Sequence, residues 1–332
     1  MDSVKRYIIR ATELTAISVS KLIAQKGFTP DDLLTEEESK AREKLIDQAG
    51  ADAMRAALTD IPFTLEVVGS EGRKHIHQYG EALPTLEGTF GKGKKKFDMV
   101  NDVVEGSKAA KLNSPGAVSV IAVSTHKGLM PTPKDIDYMD KLFGPPQLKG
   151  KISLEKPVEE NLAEVVDTFK IKPAEINIVV MDRDRNANLI NACQKFGVNL
   201  ILVKAGDFLP SVLSCMDPMK DSGRGRRGDL ARMTKGVYLV MGIGGFEEGI
   251  LAAVAAKALG GVAEGKGWSP DPEIARQYKK VWKTDDLVSG KRQDCLVSIS
   301  AITGHDKWFD LTPLATLTVD KSGVKIEKQV HR

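Results

Sequence analysis

The chain has 332 residues, 42% of them apolar and 28% charged, with 48 Lys and Arg against 45 Asp and Glu. A net charge of +3 argues against a nucleic-acid-coating surface and against an acidic tail, and Cys193, Cys215 and Cys295, few and far apart, exclude a disulfide scaffold and a Cys-x-x-Cys metal knuckle. No apolar run approaches about 20 residues, and the charged N-terminus lacks a signal peptide's apolar stretch, so no membrane partner is expected and the location expected is cytoplasmic, or organellar if a transit peptide has been removed.

Val4, Ile8, Ala11, Leu14 and Ile17 recur at helical spacing and predict a first helix ending near Gly27. Thr35 and Glu38 have the spacing of a capping box, opening a second helix to about Leu58. Residues 63–68 and 97–100 read as strands, and 117–124 as a strand buried on both faces. Residues 134–142 and 158–169 read as helices. The rhythm then becomes strand, helix, strand over 176–181, 187–196 and 198–203, with Gly197 as a helix stop. A strand at 237–241 leads through a Gly-rich turn into an Ala-rich helix at 247–259. The chain ends in strands at 295–302, 314–319 and 323–327. The alternation predicts an α/β arrangement with a partly parallel sheet and a boundary near residues 171–173. Two basic, Gly-rich stretches, 91–96 and 222–228, read as solvated loops, with phosphate gathering as the alternative.

The chemistry concentrates in Asp102-Val103-Val104-Glu105-Gly106-Ser107. An apolar strand ends in a carboxylate and a second follows three residues on, so both can converge on one hard cation. Gly106 allows close backbone approach, and Ser107 offers a hydroxyl and an N–H. A surface turn with unpaired acids is the alternative. Asp47 shares a helix face with Ala51, Met54 and Leu58, where a carboxylate is costly unless paired or metal-bound; the alternative places it at the stripe's exposed edge. Glu71 follows a strand between glycines, and Glu248 stands at a strand-to-helix turn. Gly242 to Gly245 lacks the third glycine of a dinucleotide loop and reads better as close packing. The five histidines form no recognisable site in the sequence, and there is no His-Glu-x-x-His, nucleophile elbow or Cys–His pairing. Oxygen ligands select Mg2+ or Mn2+ over Zn2+.

Segments 47–54, 69–72, 102–107, 138–141, 159–162 and 242–249 together, in that order, resemble the class II fructose-1,6-bisphosphatases, a branch of the lithium-sensitive sugar-phosphate phosphatase superfamily. The resemblance covers most of the chain. It implies a layered α/β fold of two α/β domains with the active site between them: 1–172 binding metal and phosphate, and 173–332 contributing substrate-binding residues and one metal ligand. It implies Mg2+ or Mn2+ held by Asp47, Glu71, Asp102, Glu105 and Glu248, with Asp47, Glu71 and Ser107 catalytic. Its substrate-binding positions fall on Glu105, Gly106, Ser107, Tyr138, Arg183, Arg185, Asp207 and Gly245. The implied reaction is hydrolysis of the 1-phosphate of fructose 1,6-bisphosphate, with sedoheptulose 1,7-bisphosphate as a second substrate in some photosynthetic members. The implied partner is a small sugar bisphosphate, and the implied assembly a homodimer or homotetramer.

Ser107 is expected to orient the attacking water or donate to the phosphate. Arg183 and Arg185 are expected to hold the second phosphate, the alternative being a charged loop paired with Asp182 and Asp184. Tyr138 is expected to contact substrate through its hydroxyl, the alternative being helix packing. The chain departs from the family where Val103 replaces a proline, Ser107 a threonine and Ala205 an aspartate. Its acidic stretch after Glu71 is shortened, the segment before Asp47 is Glu-rich, and 222–228 looks inserted. These departures leave room for an inositol-phosphate or nucleotide phosphomonoesterase, or for a non-catalytic phosphometabolite binder.

Overall fold

The computed structural model describes residues 2–70, 84–218, 237–304 and 307–327. Glu71, His75, His77 and the basic stretch 222–228 lie outside the described residues. The elements are helices α1 (Asp2–Lys26), α2 (Glu36–Leu58), α3 (Ser107–Lys111), α4 (Val158–Phe169), α5 (Ala187–Phe196), α6 (Phe208–Ser214) and α7 (Phe246–Leu259). The strands are β1 (Thr64–Ser70), β2 (Thr89–Phe90), β3 (Lys96–Glu105), β4 (Val118–Thr125), β5 (Tyr138–Gly144), β6 (Ile176–Met181), β7 (Asn199–Val203), β8 (Val237–Gly245), β9 (Val262–Trp268), β10 (Trp282–Lys283), β11 (Leu296–Ala301), β12 (Thr316–Asp320) and β13 (Gly323–Glu327). Short helical turns lie at Pro272–Ala275 and Thr284–Leu287, among others.

The strands form two sheets, ordered β13-β12-β11-β4-β3-β1-β2 and β10-β9-β5-β8-β6-β7. Only the β1–β3, β6–β7 and β6–β8 pairs are parallel; the other pairs are antiparallel. The apolar residues divide into three layers of core. One face of the first sheet, with Met99, Ile121 and Val123, packs on α1 and α2 through Ile8, Val19, Ile46 and Met54. Its other face, with Val100, Val120 and Ala122, packs on the buried Ala-rich helix α7. The second sheet covers the far side of α7 with Met139, Phe143 and Val240, and turns Leu142, Ile178 and Leu239 outward onto α4. Successive residues of one strand thus enter different cores, as the pleat requires. That is why 117–124 reads as a continuous apolar run rather than an alternating one.

The local signals hold in particular places. Thr35 and Glu38 close the capping box, with Glu38 N–H donating to Thr35 Oγ1 at 3.2 Å and Thr35 N–H to Glu38 Oε2 at 2.8 Å. Gly197 ends α5 at φ 83°. The buried stripe of α1 runs on through Ala16, Val19 and Ile23, leaving Leu14 and Ile17 half-buried.

The helix expected at 134–142 is wrong: Tyr138–Gly144 is a strand in the middle of the second sheet, flanked by β8 and β9. Met139, Leu142 and Phe143 have helical spacing, but they are buried because both faces of this central strand are covered. The stretch 91–96 is built into the fold at several points. Lys92 N–H donates to Ile61 O at 3.0 Å, Thr64 Oγ1 donates to Gly93 O at 2.6 Å, and Lys92 and Lys96 pair with Asp60 and Glu66.

The chain enters the second sheet at Tyr138 and returns to the first at Leu296, and residues 171–173 fall between α4 and β6. The returning strand is tied to α1 by buried hydroxyls: Ser300 Oγ donates to Thr12 Oγ1 at 2.8 Å, and Ser298 Oγ lies 2.8 Å from the same oxygen. Among the described residues no helix is long and apolar enough to cross a membrane.

Gly50 sits where α1, α2 and β3 meet; a Cβ there would lie 3.4 Å from Val103 Cβ and Val104 Cγ2 and 3.5 Å from Thr15 Cγ2. Gly50→Leu is therefore expected to overpack this junction and cost about 1–3 kcal/mol. Urea unfolding checks this, and an unchanged midpoint contradicts the packing.

Candidate active site

Most of the candidate residues that the structure describes lie where β3, β6, β7 and β8 end, the crevice side of an α/β sheet. Strand alternation alone would put Asp102 and Glu105 on opposite faces. The register removes that problem: Asp102 pairs with Val120 and Glu105 with Val118, so β3 carries one extra residue, a bulge. Val103 and Val104 both enter the α1–α2 core, leaving Asp102 and Glu105 to share the other face. Val104 N–H donates to Asp102 Oδ1 at 3.0 Å within this bulge. Both acids are buried, Asp102 to 3% exposure.

Gly106 follows with φ 82°, a conformation that a Cβ would strain, and that Cβ would stand 3.0 Å from Gly116 O. Ser107 Oγ donates to Glu43 Oε1 at 3.1 Å, and Lys111 Nζ reaches Glu43 Oε2 at 2.6 Å. Glu43 is buried on α2, one turn before Asp47. One turn further, Gly50 touches Val103 and Val104. Asp47, buried between these two contacts, therefore stands beside the β3–α3 junction rather than at an exposed edge.

The second sheet supplies the facing wall. Lys141, only 1% exposed, sets Nζ 2.9 Å from Asp207 Oδ1 and Oδ2. Gly244 makes room for this pair, since a Cβ there would lie 2.4 Å from Asp207 Oδ2. Gly245 makes room for the Glu248 carboxylate, 1.6 Å from its own added Cβ. These glycines serve close packing; β8 runs straight into α7 without a phosphate loop. Tyr138 lies directly across the ladder from Gly245. Its ring meets Trp268 edge-on at 5.9 Å, and the Arg185 guanidinium lies 4.5 Å from its centroid. Arg185 Nε donates to Ile243 O at 3.2 Å. Burial pushes the Arg185 pKa down, against the raising influence of Tyr138, Asp207 and Glu248. Arg183 is exposed, and its guanidinium donates to the carbonyls of Asp182 and Lys204 rather than to carboxylates.

The two walls meet where a Cβ on Gly206 would lie 3.9 Å from Glu105 Oε1. Beside this contact opens a cleft of about 500 Å³, lined by Glu105, Gly106, Ala205, Gly206, Lys307 and Trp308 among others. Lys307 Nζ lies 4.7 Å from the Trp308 ring centroid.

The donor chemistry suits a hard cation: Asp47, Asp102, Glu105 and Glu248 are buried carboxylates on three elements, and oxygen donors of this kind bind Mg2+ or Mn2+. Among the described residues no three of these four bring ligand atoms within 4.8 Å of one another; the group that does so is Glu66, Asp98 and His126. Glu71 lies outside the described residues. Burial lifts the thiols of Cys193, Cys215 and Cys295 to about 11, 12 and 11, so all three are protonated at neutral pH.

Sequence reasoning missed Glu43, Lys141, Lys307 and Trp308. Glu43 was within reach, because it extends the Asp47 face by one turn. Lys141 belongs to a strand that reads as a helix, and Lys307 reaches the cleft only through the tertiary fold.

Residues 35–308 match the family described as bacterial fructose-1,6-bisphosphatase, glpX-encoded. A protein of Synechococcus sp. (strain JA-3-3Ab), named D-fructose 1,6-bisphosphatase class 2/sedoheptulose 1,7-bisphosphatase, is 31% identical over 80% of this chain and 80% of its own. Proteins of the same name from Nostoc sp. and Thermosynechococcus vestitus are 28% and 26% identical, each over 83% of this chain and 76% of theirs.

Removing one member of a buried ion pair leaves the other's charge uncompensated, at a cost of about 3–5 kcal/mol. Lys141→Met is expected to lose stability of that order, and adding Asp207→Asn to recover a large part of it. Urea unfolding of the three variants gives the coupling, and additive losses contradict a buried pair.

Proposed function

The chain belongs to the family of bacterial, glpX-encoded fructose-1,6-bisphosphatases, and on that premise we propose that it hydrolyses the 1-phosphate of fructose 1,6-bisphosphate, with sedoheptulose 1,7-bisphosphate as a second substrate. The observation that carries the reading is the β3 bulge: it turns Asp102 and Glu105 to one face, next to Gly106 and opposite Gly206.

We assign Asp47, Asp102, Glu105 and Glu248, together with Glu71, to hold Mg2+ or Mn2+. When bound, the ion supplies positive charge against the phosphoryl oxygens and makes an attacking water more acidic. The protein's own contribution is position and charge, since phosphoryl transfer needs little covalent help. Ser107 has committed its proton to Glu43, so its oxygen is left as an acceptor for a water hydrogen. That favours orienting the water over donating to the phosphate. The glycine backbone at Gly106 admits the phosphoryl group without a side chain in the way. Asp207, its charge balanced by Lys141, accepts a sugar hydroxyl. Arg185, with Nε already engaged, keeps its two terminal nitrogens for the second phosphate. Tyr138 holds the guanidinium plane in place. Lys307, which lines the same cleft as Glu105 and Gly106, adds a cation there.

Inorganic phosphate release from fructose 1,6-bisphosphate is expected with Mg2+ or Mn2+ and is expected to stop with a chelator. Asp102→Asn is expected to lower kcat by about a hundredfold or more while leaving the folded CD spectrum intact; full turnover in that variant at ordinary Mg2+ removes the metal assignment. Lys307→Ala is expected to raise KM for the bisphosphate about tenfold, a loss of about 1.4 kcal/mol, and to change KM for fructose 1-phosphate little. Equal effects on both substrates remove Lys307 from the second-phosphate subsite.

A further inference from the structure

We propose that Glu66, Asp98 and His126 form a second cation site, separate from the cleft, with the ligand set and spacing of a zinc-class divalent ion.

Topology places the three side chains together. Glu66 and Asp98 are direct neighbours across the parallel β1–β3 pair, and Asp98 is opposite Ser124 on β4. His126 follows the end of β4 directly, in the turn that leads away from it, and its imidazole reaches both acids. Asp98 lies four residues before Asp102, about 13 Å along the strand, at the other end of β3 from the cleft. One ligand atom from each of the three lies within 4.8 Å of the other two.

The spacing is informative. His126 Nδ1 is 3.4 Å from Glu66 Oε2 and 3.4 Å from Asp98 Oδ1. The nitrogen is shut off from solvent and makes no hydrogen bond. Separations of 3.4 Å are long for N–H···O bonds. They match the spacing around a tetrahedral ion, whose bonds of about 2.0–2.1 Å set neighbouring ligand atoms about 3.4 Å apart.

The surroundings fix the two carboxylates from behind. Asp98, only 2% exposed, accepts N–H bonds from Lys127 at 3.0 Å on Oδ1 and from Leu129 at 3.1 Å on Oδ2. Lys96 takes the outer oxygen of Glu66, Oε1, leaving Oε2 turned towards the imidazole. Metal ligands are commonly oriented by such outer contacts. His126 is 33% exposed and Glu66 30%, so the group lies near the surface, where a water can serve as fourth ligand. One imidazole and two carboxylates suit Zn2+ or Co2+ better than Mg2+. The bound ion would clamp β1 to the β3–β4 end of the sheet. A protonated His126 bridging two acids is the competing arrangement, and it takes up no metal.

The test reads metal uptake rather than turnover, so it is independent of the proposed hydrolysis. Metal-stripped full-length protein in excess Mg2+ is titrated with Co2+, whose visible absorption is intense in four-coordinate sites and weak in six-coordinate ones. Wild type is expected to bind one equivalent with the intense spectrum. His126→Ala is expected to lose that equivalent, and Glu66→Gln to bind it at least about tenfold more weakly. Zn2+ is expected to raise the Tm of wild type and not that of His126→Ala. An intense spectrum and stoichiometry unchanged in His126→Ala, or no such equivalent in wild type, overturns the site.

Discussion

A helix that is apolar on every side must be covered on every side, and α7 is such a helix: from Phe246 to Ala258 all but Lys257 are buried. Its alanines let two sheets close on it from opposite directions, so it fixes both the spacing and the relative position of the two walls of the cleft. Its first turn carries Glu248 and abuts Gly245, to which Tyr138 is paired across the ladder. Much of the candidate site therefore depends on one packing constraint, the need to keep a dry helix dry.

Charge is the second constraint. Two cations on these elements are matched locally, the buried Lys141 by Asp207 and the half-buried Lys111 by Glu43. Glu43 in turn holds the Ser107 hydroxyl, so one ion pair between α2 and α3 orients a side chain at the start of α3. The carboxylates at the end of β3 and the start of α7 add negative charge to an enclosed place. Carboxylates gathered away from water are tolerable when cations or hydrogen-bond donors compensate them, which is the physical basis for assigning divalent ions to this end of the cleft. Glu66, Asp98 and His126 repeat the pattern at the opposite end of the same strand, with a nitrogen in place of one oxygen donor.

Legibility varied with the range of the interaction. The Thr35–Glu38 box, the Gly197 stop and the both-faces-buried strand at 118–125 are local matters of capping, backbone conformation and pleat, and each can be read from a few consecutive residues. The strand 138–144 was not legible, because burial on both faces erased its alternation and left the spacing of a helix. The bulge in β3 was hidden too. Nothing in Asp102-Val103-Val104-Glu105 shows that an extra residue faces β4, yet that residue is what lets the two acids share a face.

The sequence by itself determined the kinds of atoms available: oxygen-rich acids beside glycines, thiols in no reactive context, a serine after Glu105-Gly106, and an ordered set of segments shared with a known family. Those are composition and order, and they survive in one dimension. Tertiary structure alone decided which groups meet. It brought the C-terminal strands back beside β4, set Lys307 in one cleft with Glu105, buried Lys141 against Asp207, and joined His126 to two acids from other strands. Such pairings join residues tens to hundreds of positions apart. Their energies come from desolvation and packing in the closed fold, which no local stretch of chain can specify.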